Sequence, residues 1–311
     1  MVMSASADIF ILRRKRKAAV LIRKKSIPPL RFIYECQVGI SLKNQDVSAM
    51  IMLTFILQRW RNLMKRVKLI VAYDGTNYCG WQVQPNGITV QEVLNRALSD
   101  LLGEEIKTMG ASRTDAGVHA LGNVAAFDTS ARMPADKISF ALNTRLPEDI
   151  RIQKSEEVPA EFHPRFTTTI KTYEYRILNR TFADPTRRLN SFHWYGKLDV
   201  EAMETAASYL VGEHDFKSFA TASQDVDSTV RTIYRTQIWK EEDMIHFRVT
   251  GNGFLYNMVR IIVGTLMEVG KGSYPPEHML EILAAKDREM AGPTARALGL
   301  TLVGIRYPKW E

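Results

Sequence analysis

The 311-residue sequence predicts an α+β fold, on three observations. Apolar residues alternate with strand and helix periods from residue 66 to the C-terminus. Several predicted strands follow one another as hairpin-like pairs, which suits α+β layering better than a doubly wound parallel sheet. The elements form two blocks that part near residues 180–195, where Arg180, Pro185, Arg187 and Arg188 interrupt the pattern. No letter-by-letter repeat relates the blocks.

The elements follow in order. Residues 67–73 alternate as a strand and end in the turn sequence Asp74-Gly75-Thr76-Asn77. Thr89 caps a helix whose stripe is Val90, Val93, Leu94, Ala97, Leu98 and Leu101. Strands are expected near 106–111 and 123–128, and a helix over 135–143 after Pro134. Residues 170–178 alternate strictly, with Tyr173, Tyr175 and Ile177 on one side and Thr172, Glu174 and Arg176 on the other. Asp199 caps a helix with Met203, Ala206, Ala207 and Leu210 on one face. Strands recur at 232–239 and 245–250. A long apolar helix is expected over 254–269, then a helix near 276–285 and a strand near 300–306.

Composition narrows the function. With 45% hydrophobic and 24% charged residues the chain can bury a sizeable core, and intrinsic disorder is excluded. Two cysteines, Cys36 and Cys79, cannot build a disulfide framework or a four-cysteine zinc site. The longest apolar run, 49–57, is too short for a bilayer span. A soluble, reduced, cytoplasmic protein is the expectation.

The net charge of +8 suggests an anionic partner, yet it is unevenly placed. Residues 1–66 hold 14 Lys and Arg against 3 Asp and Glu, a balance of +11, which leaves the remaining 245 residues at −3. Nucleic-acid binding by the body therefore requires a local arginine patch. Residues 1–64 form a separate basic extension that lacks sustained periodicity and contains Arg13-Arg14-Lys15-Arg16-Lys17. It reads as a targeting segment, as a basic arm, or as residues ahead of a true start at Met64, where a clean strand pattern begins.

The densest polar cluster is ASRTDAGVHA, residues 111–120. Small residues around Arg113 and Asp115 suit a loop that approaches a substrate. Three readings fit these residues. Asp115 can close a turn on its own backbone. Ser112, Asp115 and His119 can be drawn as a hydrolase triad, although no glycine elbow surrounds the serine. Asp115 can serve as a nucleophile or base beside Arg113. On the long helix, Arg260 stands between Met258, Val259, Ile261 and Ile262, where a charge is costly unless paired or carried to the surface.

Longer motifs add a resemblance. YDGTNYCGWQ (73–82), QPNGITVQEVL (84–94) and SRTDAGVHA are followed by KTYEYRI (171–177), LVGEHDFKSFA (210–220), VRTIYR (230–235), GNGFLYNMVRIIVGTLMEVG (251–270) and GLTLVGIRYP (299–308). In that order they resemble the tRNA pseudouridine synthase A family over residues 66–308. The resemblance implies two ferredoxin-like α+β halves, 65–180 and 181–311, with a mixed or antiparallel sheet around a central cleft. It implies an isomerase that converts uridine to pseudouridine at positions 38–40 of the tRNA anticodon stem-loop. No cofactor or metal and no membrane association are implied, and the expected partners are tRNA and a second copy of the chain.

The resemblance also assigns roles. Asp115 matches the essential aspartate, acting as nucleophile or by proton abstraction from the ribose. Arg260 matches the arginine paired with it. Tyr173 matches the tyrosine that stacks on the uracil, although the strand pattern alone would equally place it in the core. Arg113 matches an arginine that helps evict the target nucleotide, and Arg231 another RNA-contacting arginine. His119 is expected to be structural, and Lys171, Arg176, Arg187 and Arg188 are possible phosphate contacts. Ser112 stands where the family often has glycine. Cys79 is expected to be a small buried thiol without a chemical role.

Overall fold

The computed structural model of the chain describes residues 64–221 and 227–310. The basic extension, 1–64, lies outside the described residues except for Met64. The strands are β1 (Lys65–Tyr73), β2 (Met109–Gly110), β3 (His119–Thr129), β4 (Ile150–Val158), β5 (Ile170–Asn179), β6 (Phe192–Trp194), β7 (Gly212–Asp215), β8 (Val230–Glu241), β9 (Met244–Gly251) and β10 (Leu300–Arg306). The helices are α1 (Val90–Leu102), α2 (Ala135–Asn143), α3 (Val200–Ser208), α4 (Met258–Gly270) and α5 (His278–Ala285).

The strands form one mixed sheet in the order β4-β1-β3-β10-β5-β9-β8-β7, with β2 on β3 and β6 on β5. Neighbours are antiparallel except for β10 with β3 and β5 with β6. The last strand, β10, is inserted between β3 and β5, so the C-terminus joins the sheet at its centre. The mixed helix-and-strand fold is as the sequence predicts.

Local chemistry explains the elements. The Thr89 hydroxyl caps α1 by accepting from the Glu92 N–H, and Gly103 ends it in the left-handed region. The Asp199 carboxylate caps α3 through the Ala202 N–H. In β1, Val67, Leu69, Val71 and Tyr73 point inward and are buried. They share one core with the stripe of α1, with Tyr173, Tyr175 and Ile177 of β5, and with most of α4.

Differences from the sequence expectation include two boundaries, one unforeseen strand and the burial of one side chain. The strand expected at 106–111 shrinks to Met109–Gly110. Side chains of α1 take the donors it would have used: Ser99 Oγ accepts from the Ile106 N–H, and Asn95 Oδ1 from the Thr108 N–H. The long apolar helix starts at Met258 and not at Phe254, because Asn257 sits in the left-handed region at φ 60°. Strand β4 carries no clean alternation, since Lys154, Glu156 and Glu157 populate a sheet edge that must stay wet. Cys79 is half-buried, not buried.

One close crossing positions the site. A β-carbon on Gly264 of α4 would lie 1.6 Å from the carbonyl oxygen of Pro293. Only glycine lets the 291–295 segment lie directly on the helix. There the Gly292 N–H donates to Thr265 Oγ1 (2.9 Å), and the Ala295 N–H donates to the Arg260 carbonyl (3.1 Å).

Candidate active site

Asp115 sits in the loop between β2 and β3, which the first motif laces down. The Trp81 N–H donates to the Thr114 carbonyl (3.1 Å), and Tyr73 Oη lies 2.7 Å from Thr114 Oγ1. Gly80 allows this approach: its φ is +82°, and a β-carbon there would lie 2.5 Å from the Thr114 oxygen. The two motifs, some 30 residues apart in sequence, are therefore one structural unit.

Arg260 stands in the first turn of α4. Its Nη1 donates to Asp115 Oδ2 (3.1 Å) and to Asn257 Oδ1 (2.8 Å), and its Nε donates to the Ala295 carbonyl (2.8 Å). The side chains of Arg260 and Asp115 are 18% and 19% exposed, so the pair is sheltered but reachable. Of the alternatives for Arg260, pairing prevails over escape to the surface. Asn257 and Ala295 were not foreseen. Nothing in the sequence marks the Ala295 carbonyl, and Asn257, just ahead of the helix, makes no side-chain capping bond.

Burial raises the Asp115 carboxyl above its usual pKa, and the Arg260 hydrogen bond and charge pull it back only in part. The arginine thus limits the cost of the charged form without abolishing it. The ionised carboxylate is held in a partly dry setting, where it is more reactive than in water.

Tyr173 is 7% exposed, and its hydroxyl lies 2.8 Å from Ser112 Oγ. Its ring meets Phe254 edge-on at 5.2 Å between centroids. Burial pushes its pKa up to about 12, so it stays a neutral phenol. Its strand neighbour Tyr175 is fully buried, with its hydroxyl on the Arg296 carbonyl (2.8 Å). Both are core residues, but only Tyr173 borders open space. Ser112, where glycine was the family expectation, gains a role by fixing that phenol.

The open space is a cavity of about 720 Å³ bordered by Asp115, Arg260, Tyr173, Arg113 and Arg231, which brings together all five residues singled out in the sequence. Its walls come from 111–118 and 165–173 on one side of the chain's midpoint and from 227–231, 252–260 and Leu300 on the other. The charges on the walls are Arg113, Arg165, Lys171, Arg231 and Arg260 against Asp115 and Asp227. The body carries a net −3, yet this cavity is cationic. Lys171 donates to the Ala111 carbonyl (3.0 Å), and burial together with Arg165 and Arg231 lowers its pKa to about 8. The Arg231 guanidinium is steadied by the Ser228 carbonyl (2.8 Å) and partly desolvated.

The remaining candidates lie elsewhere. Arg176 binds Glu174 (2.9 Å), Arg187 faces Asp184 (3.7 Å), and Arg188 donates to the Pro185 carbonyl (3.1 Å); none borders the cavity. His119 is structural: Nε2 faces the Leu298 carbonyl and Nδ1 accepts from the Gly75 N–H, both at 3.1 Å. With both ring nitrogens committed and Ser112 bonded to Tyr173, the triad reading of Ser112, Asp115 and His119 fails.

Comparison with known proteins shows the family. The sequence profile of the family described as tRNA pseudouridine synthase matches residues 69–167 and 206–308. The tRNA pseudouridine synthase A of Thermoanaerobacter sp. (strain X514) is 49% identical over 244 residues, covering 78% of this chain and 100% of that protein. The proteins of the same name from Ruminiclostridium cellulolyticum and Brevibacillus brevis are each 51% identical, over 245 and 244 residues, with the same coverage. Among the described residues, no helix is long and apolar enough to cross a membrane.

Proposed function

Because the chain belongs to the tRNA pseudouridine synthase family, we propose that this isomerase converts uridine to pseudouridine at positions 38–40 of the tRNA anticodon stem-loop, with Asp115 as nucleophile. The observation that carries the reading is the Asp115–Arg260 pair at 3.1 Å, facing a cationic cavity of about 720 Å³. A flipped nucleotide brings its phosphates to the arginines and its base to Tyr173.

The reaction is an internal rearrangement. The glycosidic N1–C1′ bond breaks, the uracil turns, and C5 bonds to C1′. The proton lost from C5 is balanced by one gained at N1, so no atom is added. As nucleophile, Asp115 forms a covalent adduct with the sugar or base and is released when the carbon–carbon bond closes. Tyr173 supports recapture of the loose uracil: stacking is worth about 1–3 kcal/mol per base, which offsets much of a flipping cost of a few kcal/mol. Arg113, exposed at the rim, suits the gap left in the stack. Arg231 suits a phosphate contact.

The halves 65–180 and 181–311 fit this reading, since segments of both border the cavity. A homodimer enters through the family resemblance alone, and a cytoplasmic location through the composition read above. The test is nucleotide-resolved pseudouridine mapping of an unmodified tRNA transcript treated with the purified protein. Conversion confined to positions 38–40, abolished by Asp115→Asn with tRNA binding retained, is the expected result. No conversion there, or a normal rate in Asp115→Asn, overturns the reading.

A further inference from the structure

Phe166 has no place in the chemistry above, yet it is an unusual residue. It borders the cavity that holds Asp115, yet it is 80% exposed. A phenylalanine left in water forgoes the hydrophobic gain that its type ordinarily takes in a core.

The loop beneath it is not loose. Phe162 is fully buried against Tyr307 and Trp310, with ring centroids 5.0 and 5.9 Å away. The Tyr307 hydroxyl donates to the Pro164 carbonyl (2.9 Å), and the Thr167 N–H to the His163 carbonyl (3.1 Å). His163 Nδ1 accepts from two successive backbone donors, the N–H of Arg165 (3.1 Å) and of Phe166 (3.2 Å). That nitrogen must therefore be unprotonated. Burial and the nearby Arg66 and Arg165 agree, holding the imidazole pKa below its usual value.

The same imidazole supports the aromatic ring: His163 and Phe166 lie 4.3 Å apart between centroids at 31°. The two rings are tilted against each other, with His163 half-buried and Phe166 open to solvent. An exposed ring steadied by a neighbouring imidazole at a cationic rim suits a nucleobase platform. Arg165, next in sequence, brings a guanidinium to the same wall.

We infer that Phe166 is a positioning residue that stacks on an unpaired base next to the target uridine while the target itself occupies the Asp115 cavity. The platform holds RNA but does not touch the reacting atoms. It therefore acts on affinity and not on the chemical step. The inference rests on the uridine-isomerase reading.

The test measures two quantities on an anticodon stem-loop RNA at fixed salt: the dissociation constant and the single-turnover rate at saturating enzyme. Phe166→Ala and Phe166→Leu are expected to weaken binding about tenfold, with the saturated rate and Tm unchanged. Phe166→Trp is expected to restore parental affinity. Parental affinity in the Ala variant overturns the inference. So does parental affinity in the Leu variant, which would reveal plain apolar contact. A lower Tm in the Ala variant, restored by Leu together with affinity, overturns it as well, by showing a packing role. If the parent forms no pseudouridine, the isomerase reading fails independently of whether the Phe166 variants lose affinity.

Discussion

The guanidinium of Arg260 meets Asp115 at a single point: Nη1 lies 3.1 Å from Oδ2, while Nε is committed to the Ala295 carbonyl at 2.8 Å. A bidentate fork would occupy both carboxylate oxygens. The single contact leaves Oδ1 outside the pair, and the backbone tie keeps the cation from swinging into a fork.

A lysine at this position cannot reproduce the arrangement, because one ammonium must replace a planar group held at three points. Arg260→Lys is expected to lower the single-turnover rate about 100-fold or more, the scale for losing one preorganised donor. Because Arg260 pulls the Asp115 pKa down, the acidic limb of the pH–rate profile should also move to higher pH. An unshifted limb would mean that the carboxylate is held by other means.

Asp115 should cost the fold stability. Its folded-state pKa is raised by burial, so the native protein binds the proton more tightly than the unfolded chain does. Stability from this group therefore falls as pH rises from the unfolded pKa through the folded one, and the full cost is present at neutral pH. Asp115→Asn, inactive, is expected to melt at or above the parental Tm at pH 7. That advantage should shrink towards pH 3, as the parental carboxyl protonates. A markedly lower Tm in calorimetry at pH 7 would contradict this.

Under the proposed function, Lys171 should make RNA affinity pH-dependent on the alkaline side. Its pKa of about 8 means that the ammonium is largely lost by pH 9, removing one positive charge from the cavity wall. The dissociation constant for the stem-loop should rise several-fold between pH 7 and 9 at constant salt. Lys171→Met should bind more weakly at pH 7 and flatten that rise. An equal slope in both proteins would exclude Lys171 as its origin.

Asn257 separates backbone from side chain. Its φ of 60° is accessible to glycine at no cost, whereas an alanine pays roughly 1–2 kcal/mol. Asn257→Gly should keep the parental Tm yet slow the reaction about tenfold, because Arg260 loses a partner at 2.8 Å. Asn257→Ala should show the same slowing with a lower Tm. Parental rates in the glycine variant would show that Ala295 alone fixes the guanidinium.

Much of this was legible in the sequence, and the reasons are local. Thr89 and Asp199 announce their helices by capping chemistry, and α2 and β10 have the expected limits because their periods are clean. The charged group on an apolar helix pointed to the Arg260 pair. Long-range geometry was not legible. Strand β4 hides behind the charges an edge requires, and the donors of 106–108 are claimed by Asn95 and Ser99 of another element. The Ala295 carbonyl, a backbone atom 35 residues from Arg260, has no side-chain signature. Phe166 reads as one more apolar residue until its exposure is known.

The crossing at Gly264 closes a familiar route to thermostable variants. Replacing helical glycine by alanine commonly adds stability, and α4 looks like a candidate. Here the added methyl would push Pro293 outward and take the Ala295 carbonyl with it, so the Arg260 guanidinium would drift while the helix itself improved. Directed evolution for heat tolerance should find this position barren, however favourable its helix propensity.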